Sequence, residues 1–167
     1  MTPNDLIRSA LRWLLYVLLH VLVARHLVLF DHAFCYIYLG AILFLPFELN
    51  LTAALLISFM TGAIMDSFDN TLGLHIIASV LVAYLRPILI RYQLAQKISE
   101  NRLELSLRGI GLPAFLSYVL VLVSIHHFVL LMVEAGSLGM LGFTFLKILG
   151  SIIFTTVALT LGQAFSR

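Results

Sequence analysis

Two carboxylates and one lysine are the residues most able to do chemistry in this chain. Asp66 and Asp69 stand three residues apart between two long uncharged stretches. On a helix that spacing could put both on one face, as paired carboxylates must be for metal binding or acid–base work. The same acids at a helix boundary could instead cap a helix and close a turn, with Asn70 and Gly73 as the turn residues. Lys147 lies inside an apolar stretch, in four-residue register with Ser151 and Thr155. Its stem could snorkel to the membrane interface, or it could face a bundle interior and pair with Asp66, since a buried ammonium needs a partner. We expect the pairing, with His75 nearby in a polar groove. His126 and His127 are adjacent, so on a helix they point about 100° apart and cannot hold one metal as an i, i+4 pair would. They read as interfacial. His20 and His75 are single histidines in apolar segments, expected to bond a neighbouring helix. There is no Gly-x-Ser-x-Gly, His-Glu-x-x-His or phosphate loop, so no catalytic, cofactor-binding or metal-binding residues are assigned and no enzyme is expected.

The elements that hold these residues must be membrane spans. Hydrophobic residues make up 62% of the 167 and charged ones 11%, and the mean hydropathy is +1.08. That is far more apolar than a soluble domain. A bilayer core of about 30 Å takes about 20 apolar residues per helix, so six spans leave almost nothing for a soluble domain. The net charge of +2 is too small to suggest nucleic acid. One cysteine, Cys35, rules out an internal disulfide and a multi-cysteine metal cage.

The spans fall at about 13–30, 33–47, 49–65, 72–90, 111–133 and 140–165, all in one domain over 1–167. Arg12 and Trp13 read as an interface anchor for the first. The basic start and Ala24 could also mark a cleaved signal peptide, but Leu22 and Arg25 suit an uncleaved helix better. Residues 33–47, closed by Pro46, are short for a span and could be re-entrant. Ala54, Ser58, Gly62 and Asp66 recur every four residues, which sets small side chains on one face of the third helix for close contact; His75, Ser79 and Ala83 do the same on the fourth. Arg86-Pro87 ends the apolar run of the fourth span. The charged segment from Arg91 to Arg108, with Leu94, Ile98, Leu103, Leu105 and Leu107, is expected to lie on the membrane surface. Lys and Arg then divide unevenly. Arg8, Arg12, Arg86, Arg91, Lys97, Arg102, Arg108 and Arg167 fall on one side, whereas the other has Arg25 with Asp31, Asp66, Asp69 and Glu134. The bias places both termini in the cytoplasm and the two aspartates outside.

The stretch Gly62-Ala-Ile-Met-Asp66, then Leu72-Gly73-Leu-His75, then an apolar run to Ala83-Tyr84-Leu85-Arg86-Pro87, resembles the signature of the bacterial rod shape-determining protein MreD family. In that family a Gly, a following Asp and a Leu-Gly pair join two helices; Gly and Pro often precede the Leu-Gly pair, where Asn70-Thr71 stand here. Length and composition match along the whole chain, the motif along about a sixth of it. Gly62, Asp66, Asp69, Leu72 and Gly73 are the residues the resemblance singles out. It implies an all-α bundle of six transmembrane helices with short loops, similar in fold to the substrate-binding subunits of energy-coupling-factor vitamin transporters. It also implies a non-enzymatic, multi-pass protein of the bacterial inner membrane. As a scaffold of cell elongation and peptidoglycan synthesis it would bind MreC, linking MreB filaments indirectly to RodA and its partner transpeptidase. The alternative is a substrate-binding subunit of a vitamin or small-molecule transporter, which needs an outward pocket with several polar and aromatic contacts.

Overall fold

In lipid a backbone must satisfy its own polar groups, and continuous apolar runs do so by coiling into long helices. The computed structural model describes residues 3–98, 105–136 and 141–165, and five of its helices are long and apolar enough to cross a membrane. In chain order they are α1 (Pro3–Leu22), α3 (Leu51–Asp69), α4 (Leu74–Ile98), α6 (Leu112–Ala135) and α7 (Leu141–Phe165), with short α2 (Leu39–Leu43) and α5 (Leu107–Ile110) between them. The protein is thus an all-α, multi-pass membrane protein. α4 is central, packed against α3 on one side and α6 on the other, and α7 lies on α6.

The expected second helix is not one. After α1, a 3-10 turn (Ala24–His26) leads into a small antiparallel hairpin of β1 (Val28–Leu29) and β2 (Ala33–Phe34). The chain then descends through the bundle as an extended stretch followed by α2. Tyr38 lies against His20 with ring centroids 4.9 Å apart. Two residues on, Gly40 meets the ring of Tyr16, one turn back along α1. The hydroxyl of Tyr38 bonds His75, whereas the carbonyls of Leu43 and Leu45 bond Arg86, three turns further along α4. The segment therefore falls about 16 Å along the bundle at 1.5 Å per helical residue. Residues 33–47 are therefore an enclosed irregular passage and not a sixth spanning helix. Such a backbone is tolerable at membrane depth only when protein surrounds it. Ala33, Cys35 and every residue from Ile37 to Leu45 are buried.

Arg86 is what makes the lower half of this passage possible. Its Nε donates to the Leu43 carbonyl at 3.2 Å, its Nη2 donates to that of Leu45, and Tyr118 Oη donates to Leu43 at 2.8 Å. Arg86 is buried and α4 continues through Pro87 to Ile98, so this arginine does not sit in a loop at the end of the span, as expected, but inside the bundle. Two further readings differ from expectation. The first span starts well before Trp13, which sits midway along α1 and donates from Nε1 to Thr61 at 2.8 Å rather than anchoring an interface. Leu94 and Leu105 are buried, not laid on the membrane surface; Ser106 caps α5, and Gly111 (φ 79°) turns the chain into α6. Residues 99–104, with Glu100, Arg102, Leu103 and Glu104 of the expected surface segment, lie outside the described residues, as does 137–140 at the start of the last span.

Candidate functional site

Asp66 organises the turn between α3 and α4. Its backbone carbonyl receives the N–H of Thr71 at 3.0 Å, closing α3 over Asn70, which takes the left-handed conformation (φ 54°). Asparagine is among the few non-glycine residues that tolerate it. The side chain reaches forward: Oδ1 accepts the His75 N–H at 3.0 Å and the Thr71 hydroxyl, and Oδ2 accepts the Ile76 N–H at 3.0 Å. One residue thus ends one helix and caps the next, with a carboxylate at the positive end of α4. The reach depends on Gly62, one turn earlier, where a Cβ would come within 2.5 Å of Ile76 Cα. Ala54, Ser58, Gly62 and Asp66 are all buried, as are His75, Ser79 and Ala83 on α4. Gly73 holds a positive φ of 86° at the turn, and Leu72 is fully exposed.

Asp66 and Lys147 do not pair. The ammonium of Lys147 contacts Glu134 Oε2 at 3.0 Å and lies 4.7 Å from the centre of the Phe34 ring. The pairing read from the sequence fails because the Asp66 carboxylate is already occupied by helix N–H groups. Glu134, at the end of α6 and close in sequence to α7, is the nearer acid. The guanidinium of Arg25 lies over the Phe68 ring at 5.7 Å.

Behind the hairpin lies a hydrogen-bonded chain that no single sequence motif announces. His75 Nε2 is 3.4 Å from Asp69 Oδ2, His75 Nδ1 is 2.8 Å from Tyr38 Oη, and Tyr38 Oη is 2.7 Å from His126 Nε2. An ionised carboxylate only accepts, so with a neutral ring the proton of His75 sits on Nε2. Tyr38 must then donate its one hydroxyl proton to His75 Nδ1 and accept from His126 Nε2–H. His126 Nδ1 is left a bare acceptor, buried and without a hydrogen bond. His127 turns the other way: its Nδ1 donates to the Val123 carbonyl at 2.8 Å and its Nε2 accepts from Thr155 at 3.0 Å. Thr155 in turn receives the Tyr36 N–H at 3.0 Å, and Ser151 receives that of Phe34 at 2.9 Å. Those two hydroxyls satisfy the extended backbone.

Both adjacent histidines are therefore core residues rather than interfacial ones, and their divergent directions let one α6 turn hold two different elements. His75 bonds across helices, and Asp66 and Asp69 divide the work of cap and histidine partner rather than sharing one ligand. Among the described residues no group of three or more His, Cys, Asp or Glu is placed to hold a metal ion.

Above this chain a cleft of about 170 Å³ opens between the segment after α1, residues Phe34–Tyr36, the α3–α4 turn and α6. His20, Arg25, Tyr36, Asp69, His75 and Glu134 line it. Sequence reasoning missed Tyr38, Tyr36 and Arg86 as site builders. The signal for the first two was the alternation Phe34, Tyr36, Tyr38, a two-residue period that fits an extended chain and not a helix. No family model, no curated protein and no solved structure matches the chain.

Proposed function

We propose that this protein is a non-enzymatic membrane scaffold of the bacterial cell-elongation machinery, the role implied by its resemblance to the MreD family. What supports the reading most is how the motif residues are spent. Gly62, Asp66 and Gly73, with Asn70 and Thr71, build a hairpin in which the Asp66 carboxylate is taken up by the His75 and Ile76 N–H groups and the Thr71 hydroxyl, and Asp69 meets His75. The cleft beside it, at about 170 Å³, is below the roughly 300 Å³ at which pockets for larger ligands begin. That favours a scaffold over a vitamin-binding transporter subunit. What the molecule offers a partner is helix surface. α1 is the least enclosed span, with 17% of its most apolar window buried against 28% or more in the others. Leu11, Leu15, Leu18 and Leu22 face outward along it.

On this reading the chain sits in the inner membrane with both termini in the cytoplasm. It binds MreC, and through it connects RodA and its transpeptidase to MreB. The test is purification of the tagged chain from native membranes in mild detergent, with identification of what comes with it. MreC with the wall-synthesis enzymes, and rounded cells on depletion, are the expected results. A bound vitamin with an ATPase module, and unchanged cell shape, would establish the transporter reading instead.

A further inference from the structure

Among the described residues four histidines are buried, and His75 is the one that meets a carboxylate: its Nε2 is 3.4 Å from Oδ2 of Asp69, whose side chain is 26% exposed beside the cleft. Asp66 and Asp69 face His75 from α3 and Glu134 faces it from α6, with Lys147 of α7 held on Glu134. The imidazoles of His20 on α1 and His126 on α6 complete its titratable surroundings, with the hydroxyl of Tyr38. The far end of the hydrogen-bonded chain differs in character. His126 has the rings of His127, His75 and His20 around it, and its Nδ1 is a buried acceptor without a hydrogen bond. One hydroxyl, Tyr38 Oη, joins the two ends at 2.8 and 2.7 Å.

We propose that this chain is a pH-sensitive switch, in which one added proton is held as an imidazolium at His75 against Asp69 while both bonds of Tyr38 reverse direction. His75 keeps its proton on Nε2 and takes the Tyr38 hydroxyl proton on Nδ1. Tyr38 takes the proton of His126 Nε2 and donates it back to that nitrogen, and the added proton ends on His126 Nδ1. The positive charge thus appears at the opposite end of the chain from the added proton, beside the carboxylate that stabilises it. The bonds of Tyr38 to His75 and His126 are kept with donor and acceptor exchanged, as the two nitrogens of an imidazole allow. His126 Nδ1 is the ring nitrogen left unbonded in either state. The other two buried histidines are committed elsewhere: His127 to Val123 and Thr155, and His20 to the backbone at Cys35. Acidity at the cleft is thereby converted into a turned hydroxyl in the middle of the enclosed passage. The switch stands apart from the scaffold role, since it is read on the chain alone.

The test is imidazole nitrogen NMR of the full chain in lipid nanodiscs, acidified from about pH 8 to about pH 4 across the ordinary imidazole range, with circular dichroism to follow the fold. His75 is expected to gain a second N–H, and His126 to pass from the Nε2–H to the Nδ1–H tautomer with the same midpoint. Asp69→Asn keeps an oxygen acceptor for His75 Nε2 but removes the charge, so it should lower the midpoint by at least about one pH unit, a tenfold weaker hold on the proton. Tyr38→Phe should uncouple the rings, so that His75 still charges while the His126 tautomer stays as it was. The unaltered chain and Asp69→Asn decide the matter if Tyr38→Phe does not fold. A His75 that stays neutral until the fold is lost, an unmoved midpoint in Asp69→Asn, or a His126 that keeps Nε2–H while His75 charges would overturn the switch. The last result would mean that Tyr38 turns its proton to Ser79, which also faces its hydroxyl from α4.

Discussion

Replacing Asp66 separates the two roles that a carboxylate at this position could have. In Asp66→Ala the N–H groups of His75 and Ile76 lose their acceptor inside the bundle, and so does the Thr71 hydroxyl. A buried donor left unmade costs about 1–3 kcal/mol, and loss of a negative group at a helix N-terminus adds about 0.3–1 kcal/mol. The two amides alone therefore set a loss of about 2–6 kcal/mol. Asp66→Asn keeps one carbonyl oxygen of the same reach and should cost about half as much. Reversible unfolding of the purified chain in mixed micelles, titrated with SDS, measures both. Amide hydrogen exchange at His75 and Ile76 supplies the local readout, with protection lost first at those two positions in Asp66→Ala. If Asn is as damaging as Ala, or if both amides stay protected in Asp66→Ala, the carboxylate does not cap α4. The same experiment judges the lysine. Because Lys147 meets Glu134 and not Asp66, Asp66→Ala and Lys147→Ala should add to within about 0.5 kcal/mol, with no rescue in the double variant.

Gly62→Ala should destabilise by about 3 kcal/mol, the upper range for overpacking, because its Cβ would lie 2.5 Å from Ile76 Cα and backbone cannot rotate away as a side chain can; an unchanged unfolding midpoint would contradict the close approach. Tyr38→Phe removes the hydroxyl between His75 and His126 and should cost about 1–3 kcal/mol. Imidazole nitrogen NMR of the unaltered chain should show His75 and His126 protonated at Nε2, with the His126 signal shifting in Tyr38→Phe. Arg86→Lys should fail to replace the arginine, since one ammonium cannot span the carbonyls of Leu43 and Leu45 and the Tyr118 hydroxyl as a planar fork does; wild-type stability in that variant would show that the fork is not needed.

The lipid-embedded helices and their approximate limits were legible because uncharged runs of this length have few other places to be. The small-residue register on α3 was legible for a similar reason: a four-residue period puts Gly62 and Asp66 on one face whatever the fold. Lys147 was misread because register says which face a side chain occupies but not which acid comes near it; Glu134 and Asp66 were both available, and helix N–H groups had prior claim on Asp66. Arg86 was misread because charge usually marks the end of a span, and the carbonyls that receive it belong to a passage assumed to be helical. The Tyr38 chain joins the Asp69–His75 turn to Tyr38 and His126, three segments far apart in sequence, and pairing of that kind leaves no local period to find.

The threaded course of residues 33–47 bears on how the molecule is made. When this stretch leaves the ribosome, the hydroxyls that will receive Phe34 and Tyr36, on Ser151 and Thr155, have not yet been synthesised, and bare peptide groups are poorly accepted by hydrocarbon. Its early helices must therefore wait in a provisional arrangement until the last helix arrives. The end of the polypeptide completes its beginning, so a nascent chain halted before α7 should be recognised by quality-control proteases as unfinished rather than persist as a smaller bundle.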